Sequence, residues 1–204
     1  MSRLCLLLSA RLVASALIFC PFVDATALRS GPGPPEETPD GIWLNLDDAE
    51  FSALPKRATP QNGYTQPLAY RAMLLDDFLL AKTLDSAPLE DPEHPMKSDH
   101  SDAIIWLPMP DGTDVPFSFV EAPIMEPELA DRYPEIRTYL GNALDGSSRY
   151  VRFDRTPQGF HALIRGGGDV YIEPGDKEGA YLSYRASDYP AVGGDFSCDV
   201  KQKS

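Results

Sequence analysis

From Ala103 onward the chain is written in short runs of β-branched and aromatic residues: "AIIWLPM", "VPFSFVEAPIM", "RYVRFD", "GFHALIR", "DVYIEP" and "AYLSYRA". Turn-forming stretches separate them, namely "PDGTD", "LDGSS", "TPQG", "RGGGD" and "PGDKEG". Clusters of Gly, Pro and Asp between such runs signal tight connections between antiparallel strands. The alternation is clearest in "GFHALIR", where Phe160, Ala162 and Ile164 share one face and His161, Leu163 and Arg165 the other. A period of two marks a half-buried strand. The pattern predicts an antiparallel β-meander folded into a sheet or a sandwich. A helical turn in "MEPELADRYPEI" interrupts it.

Upstream the period changes. In "RAMLLDDFLLAKTLDSAP", Leu74, Phe78 and Ala81 recur at helical spacing, with Leu75, Leu79 and Lys82 alongside. Asp76 and Asp77 lie near the start and Pro88 follows the end, so one short amphipathic helix of about three turns is expected. The fold class is therefore α+β, mainly β. Residues 85–102, with six acids and one lysine and no periodicity, read as a solvated loop. No internal repeat is evident.

The N-terminal hydrophobic pattern belongs to neither element type. Arg3 and Arg11 precede the apolar "LVASALIFC", and Ala25 and Ala27 form an A-x-A cleavage site, so residues 1–27 read as a secretory signal peptide. The apolar run falls short of the ~20 residues that span a bilayer, which argues against a stable membrane anchor. Phe19 before Cys20 is too bulky for lipoprotein processing. Residues 28–41, rich in Pro, Gly and acid, are expected to be a flexible entry segment. One domain over 42–190 is expected to follow, and then a linker, residues 191–204, that ends before a catalytic domain.

Charge narrows the partners. Loss of Arg3, Arg11 and Asp24 with the leader takes the net charge from −13 to −14. Such a surface repels phosphate backbones, which excludes nucleic acid, and argues against docking on anionic lipid. Cysteine is sparse. Cys5 and Cys20 leave with the leader, and Cys198 stays without a partner in the chain. An odd cysteine in an exported protein means a free thiol or an intermolecular bond.

The residue types for catalysis do not assemble. His94 and His100 sit in the acidic loop at a spacing that matches no zinc-ligand pattern. His161 reads as a half-buried strand histidine rather than a base. Ser147 and Ser148 follow a turn glycine without the G-x-S-x-G elbow, and "RGGGD" lacks the lysine of a phosphate loop. No H-E-x-x-H occurs. These features argue against an enzyme, and against a metal or cofactor held by this chain. Cys198 has one chemical use beyond a disulfide to a second chain or to a cysteine beyond Ser204. A thiolate is a strong zinc ligand, and a catalytic zinc keeps one position open for water. A cysteine entering that position displaces the water and silences the enzyme.

Several ordered motifs carry a resemblance. "WLPMPDGTDVPFSFVEAPIMEPELADRYPEIRTYLGNALDGSSRYVRFDRTPQGFHALI", then "VYIEP" and "YLSYRASDYP", resemble the N-terminal, prodomain-like region of secreted bacterial reprolysin-like zinc metalloproteases. "YRAMLLDDFLLAKTLDSAPLE" sits where such proteins carry a short leucine-rich helix, and the resemblance spans residues 42–190. It implies a noncatalytic region that precedes a domain with H-E-x-x-H-x-x-G-x-x-H, whose zinc would be the only metal involved. It implies a cognate reprolysin-like catalytic domain as partner, in cis or in trans, and a role in latency, in folding assistance, or in both. "FSCDVKQ" is similar to the cysteine switch of the related adamalysin prodomains, with Asp199 in place of the usual glycine. The alternative reading is a stand-alone secreted β-rich binding or adhesion module, with Cys198 linking a dimer.

Overall fold

Seven successive strands form the expected meander. They are β3 (Ile104–Pro108), β4 (Asp114–Glu121), β5 (Arg137–Ala143), β6 (Tyr150–Thr156), β7 (Gly159–Arg165), β8 (Val170–Pro174) and β9 (Ala180–Arg185). Two earlier strands, β1 (Trp43–Leu46) and β2 (Arg71–Leu75), join beyond β9. All nine lie in one antiparallel sheet of order β1-β2-β9-β8-β7-β6-β5-β4-β3. The structure is a computed structural model, which describes residues 37–58, 65–91, 93, 98 and 101–190. The signal segment with Ala25 and Ala27, residues 28–36 of the entry segment, His94, His100, and the 191–204 segment with Cys198 lie outside the described residues.

The sheet curls around a single core instead of splitting into two layers. Every strand sends side chains to the same cluster, among them Trp43, Met73, Ile105, Phe117, Tyr139, Phe153, Phe160, Ile172 and Tyr181. Phe160, Ala162 and Ile164 are the buried row of β7, as the alternation requires. Rings meet edge-on or stacked, with Trp43 against Phe160 at 5.3 Å and Tyr139 on Phe153 at 4.9 Å. Room for this packing is made at Gly141. A Cβ there would come within 2.9 Å of the Ser118 carbonyl and 3.2 Å of the Phe119 Cβ.

No ladder joins β1 to β3 among the described residues. Side chains close the seam between them. The Asp40 carboxylate accepts from the Trp106 amide of β3 at 2.8 Å, from the Ile42 amide at 3.1 Å and from the Thr38 hydroxyl at 2.7 Å. Thr38 is buried, and its hydroxyl oxygen accepts from the Trp43 amide. Residues 37–41, expected within a flexible segment, are thus part of the closure. On the other side of the seam the Ser183 hydroxyl of β9 donates to the Pro108 carbonyl at 2.7 Å.

Beside the expected amphipathic helix and the expected turn in "MEPELADRYPEI", a third helical element is present. Helix α1 (Asp48–Ala53) opens with a capping box between Asp47 and Glu50, and lays Phe51 on the outer face of β2 and β9. Helix α2 (Asp77–Leu84) is capped by the Asp76 carboxylate, and α3 (Pro127–Ala130) is the short turn before β5. The expected helix around Leu74 is corrected at its start. Arg71–Leu75 pairs with both β1 and β9, so helix begins only at Asp77. Its buried face is Leu80 and Leu84, while Phe78 points outward at 77% exposure. Competition from two neighbouring strands overrode the helical period.

The acidic loop is also less free than its composition implies. Ser98 is buried against the outer face of β4 and β5. Its hydroxyl oxygen meets the Ser118 hydroxyl at 2.9 Å, the Asn142 amide at 3.1 Å and the Asn142 side-chain amide at 3.0 Å. Farther back the loop pairs Leu89 with Glu121 in a parallel bridge.

Asp40→Ala strands the Trp106 and Ile42 amides together and is expected to destabilise the fold by about 2–3 kcal/mol. Leu80→Ala should cost about 2–5 kcal/mol, whereas Phe78→Ala should stay within about 0.5 kcal/mol. Urea melts of the three variants separate these outcomes. Equal losses at Leu80 and Phe78 would mean that α2 docks by another face.

Candidate functional site

A curled sheet has two ends, and each carries arginine on the inward-facing row. At one end Arg71 follows the row of Met73 in β2. Its guanidinium pairs with Asp114 at 2.8 Å, donates to the Asn45 side chain at 2.7 Å and to the Thr113 carbonyl at 2.9 Å. The β3–β4 turn therefore plugs this end, and acceptors meet the guanidinium at both Nε and Nη1.

The opposite end stays open. Here α2 lies over the barrel with Leu80 and Leu84 sunk into the core, and beside it is a cavity of about 720 Å³. Arg137 and Arg155 line it, continuing the inward rows of Tyr139 and Phe153. They lie directly opposite each other across the β5–β6 ladder. Like charges at such a pair repel, so each needs its own compensation. Arg137 has it. Glu121 takes its guanidinium in two hydrogen bonds of 3.1 and 2.7 Å, and Asp85 adds a third at 2.7 Å. Those contacts, Glu121 first, hold Arg137 protonated well beyond the ordinary arginine range. Among the described residues Arg155 has only Asp77, at 3.3 Å, with both side chains well exposed, a pair of small energetic worth.

Two phenols line the same cavity. Tyr139 is fully buried, and its hydroxyl has no hydrogen-bond partner among the described residues. Burial pushes this phenol well above the ordinary tyrosine range. Tyr181, also raised by burial, accepts from the Phe160 amide at 3.2 Å. Gly159 permits that contact. Its φ is +128°, and a Cβ would fall 2.7 Å from the Tyr181 hydroxyl. Arg57 completes the lining, with its Nε buried and likewise without a partner. The Asp176 Oδ1, also buried and without a partner among the described residues, belongs to the turn whose carbonyl accepts from the Arg57 amide at 2.8 Å.

The sequence-derived candidates lie elsewhere. His161 is half-buried on the outer face of β7, with Nδ1 3.0 Å from the Asp154 carboxylate of β6. The two are cross-strand neighbours in register. They border a shallow groove of about 390 Å³ with Ile124, Arg152 and Glu173. Ser147 and Ser148 occupy the β5–β6 turn, and the three glycines of "RGGGD" make the β7–β8 turn with positive φ. No group of three or more His, Cys, Asp and Glu could hold a metal ion among the described residues. No helix among them is long and apolar enough to cross a membrane. The arginines at the mouth were not singled out from sequence. A cation on the apolar side of an alternating strand, Arg155 after Val151 and Phe153, was the available signal.

The buried phenols give the fold an alkaline limit. Tyr139 and Tyr181 have raised folded-state pKa values, so their contribution is complete below the unfolded phenol value of about 10. It is lost as pH climbs through the folded values. Stability is expected to drop between about pH 9 and about pH 11, and less steeply in Tyr139→Phe. Urea melts at those two pH values test this, and an identical drop in wild type and variant would contradict it.

Compared with protein-family models, with curated proteins and with solved structures, the chain matches none.

Proposed function

We propose that this chain is the noncatalytic, prodomain-like region of a secreted reprolysin-like zinc metalloprotease, and that it serves latency, folding of the protease, or both. One observation supports the reading most directly. The stretches that carry the resemblance fall on successive pieces of one meander: β3 and its turn, β4 to α3, β5, the β6–β7 hairpin, β8 and β9. Residues so distributed follow the order of the strands they build. Export follows from the leader, with cleavage after Ala27. Zinc enters only through the partner's catalytic domain, and Cys198 is the thiol that would be directed at it. The segment bearing Cys198 lies beyond the described Pro190, which follows β9 at the end remote from the open mouth.

A second reading, a stand-alone β-rich binding module, is favoured by the open mouth itself. A pure scaffold has no use for an open cavity lined by Arg137 and Arg155.

Titrated against a reprolysin-type catalytic domain, the chain is expected to inhibit peptide cleavage. Cys198→Ser should weaken inhibition by about tenfold or more, since a thiolate–zinc bond is replaced by a poor ligand. Inhibition unchanged by the substitution would remove the switch, and no inhibition by either form would leave the binding module.

A further inference from the structure

Between β4 and β5 the chain leaves the barrel for residues 123–136, and none of them is buried. Their hydrogen bonds among the described residues all run within the segment, such as those from the amides of Asp131 to Pro127, Tyr133 to Leu129 and Ile136 to Tyr133. Ile124, Leu129 and Tyr133 stand in solvent. A segment with exposed backbone bonds and no buried contacts lies at the low end of local stability. Its base, in contrast, is clamped. The Ala122 amide donates to the Thr138 carbonyl at 2.8 Å, and the Thr138 hydroxyl to the Ala122 carbonyl at 2.7 Å. Arg137 and Glu121 are joined there by two more bonds, and the β4–β5 ladder runs on from Glu121 and Tyr139 to Phe117 and Ala143. Opening of the segment therefore stops short of the sheet.

We propose that the Arg132–Tyr133 bond is a processing site, cut by an arginine-directed endopeptidase in the folded protein to leave a nicked barrel. Proteases nick exposed connections whose backbone is free to leave its bonds. Arg132 is exposed, and among the described residues it is the one arginine or lysine outside helix and strand whose backbone bonds stay within its own connection. Lys56 and Arg57 are tied to the β8–β9 turn, and Arg149 receives the Ala143 amide of β5. Arg165 is exposed too, but it is held in register opposite Tyr150, and Gly166 behind it packs on the backbone of Ser148. Hydrolysis adds one water across the bond, leaving a carboxylate on Arg132 and an amine on Tyr133. Asp131 before the bond and Glu135 after it require an enzyme whose subsites accept acid beside the arginine. The cut releases Pro134 and Glu135 at the rim of the mouth, and Ala130 and Asp131 over a cleft of about 330 Å³. It acts on the cavities and spares the core. The inference does not rest on the prodomain reading.

The test is limited digestion of the native full chain with trypsin, followed by mass spectrometry of the fragments. Arg132–Tyr133 is expected to be cut at least about a hundredfold faster than any other arginine or lysine bond of the described residues, because cleavage tracks the population of the locally opened form. Arg132→Gln should remove this cut, Arg132→Lys should keep it, and Arg165→Gln should leave its rate unchanged. The two fragments should elute together on gel filtration and melt as one cooperative unit, since the β4–β5 ladder holds both. A faster cut at another described position would overturn the proposal. So would equal digestion of Arg132→Gln and wild type, or fragments that separate without denaturant. Cuts at Arg132 and at strand arginines that appear together would mean that global unfolding exposes the bond, which also overturns it.

Discussion

A nine-stranded antiparallel sheet can bury its apolar rows only by being covered or by covering itself, and here it covers itself. Curling brings β1 and β3 together, yet no ladder forms between them among the described residues. Edge amides left bare invite pairing with another chain. The seam meets this with side chains placed where the ladder is missing. Asp40 matters most because its two oxygens serve three donors from two parts of the chain, including an edge amide of β3. A neutral acceptor could serve the same donors, but bonds to a charged group are roughly twice as strong. The core of Trp43, Ile105, Phe117 and their neighbours is a consequence of that closure, since the inward rows have no other cover.

Closure also decides where a site can exist. Once the interior is a filled tube, access is confined to its two ends. The β3–β4 turn occupies one of them, holding Arg71 through Asp114 and Thr113. The other is roofed by α2, a helix of only eight residues, which covers the core with Leu80 and Leu84 but leaves β5, β6 and the β8–β9 turn at its side uncovered. The last inward positions of β5 and β6 therefore open onto a cavity and carry arginine. The aromatic packing that makes the core rigid also positions the Tyr139 hydroxyl, because its ring is stacked on Phe153 and edge-on to Phe119.

The strands were legible because turns and alternation agree over residues 103–185, and "GFHALIR" shows the reason in seven residues. Phe160, Ala162 and Ile164 face the core, and His161, Leu163 and Arg165 between them do not. What was not legible depended on pairing across long sequence distances. Leu74 fits a helical period locally, but its segment is held between β1 and β9 by bonds that no local window contains. Ser98 reads as one more polar loop residue until Asn142 and Ser118, distant in sequence, supply its partners. The segment 38–41 is more instructive. "TPDG" has the same Pro-Asp-Gly turn chemistry as "MPDG" at 109–112, and both close with an amide-to-carbonyl bond, Gly41 to Thr38 and Gly112 to Met109. The second was read as a turn because strands flank it. The first was read as linker because proline and glycine surround it.

The mouth escaped for a related reason. Sequence reasoning looks for reactive residue types at fixed spacings, and a cavity lined by arginine and tyrosine has no such spacing. Arg57, Tyr139, Arg155 and Tyr181 come from three strands and a loop, and only closure of the tube makes them neighbours. The scaffold and the site therefore place different demands on the chain. The scaffold needs the row of aromatics and the seam, so changes there act on stability. The mouth sacrifices some stability by placing Arg155 opposite Arg137 and by burying a phenol without a partner among the described residues, costs that removal of either group would relieve. The two demands meet at Tyr139, whose ring is stacked on Phe153 in the core while the residue also borders the cavity, so a change there acts on packing and on the mouth together.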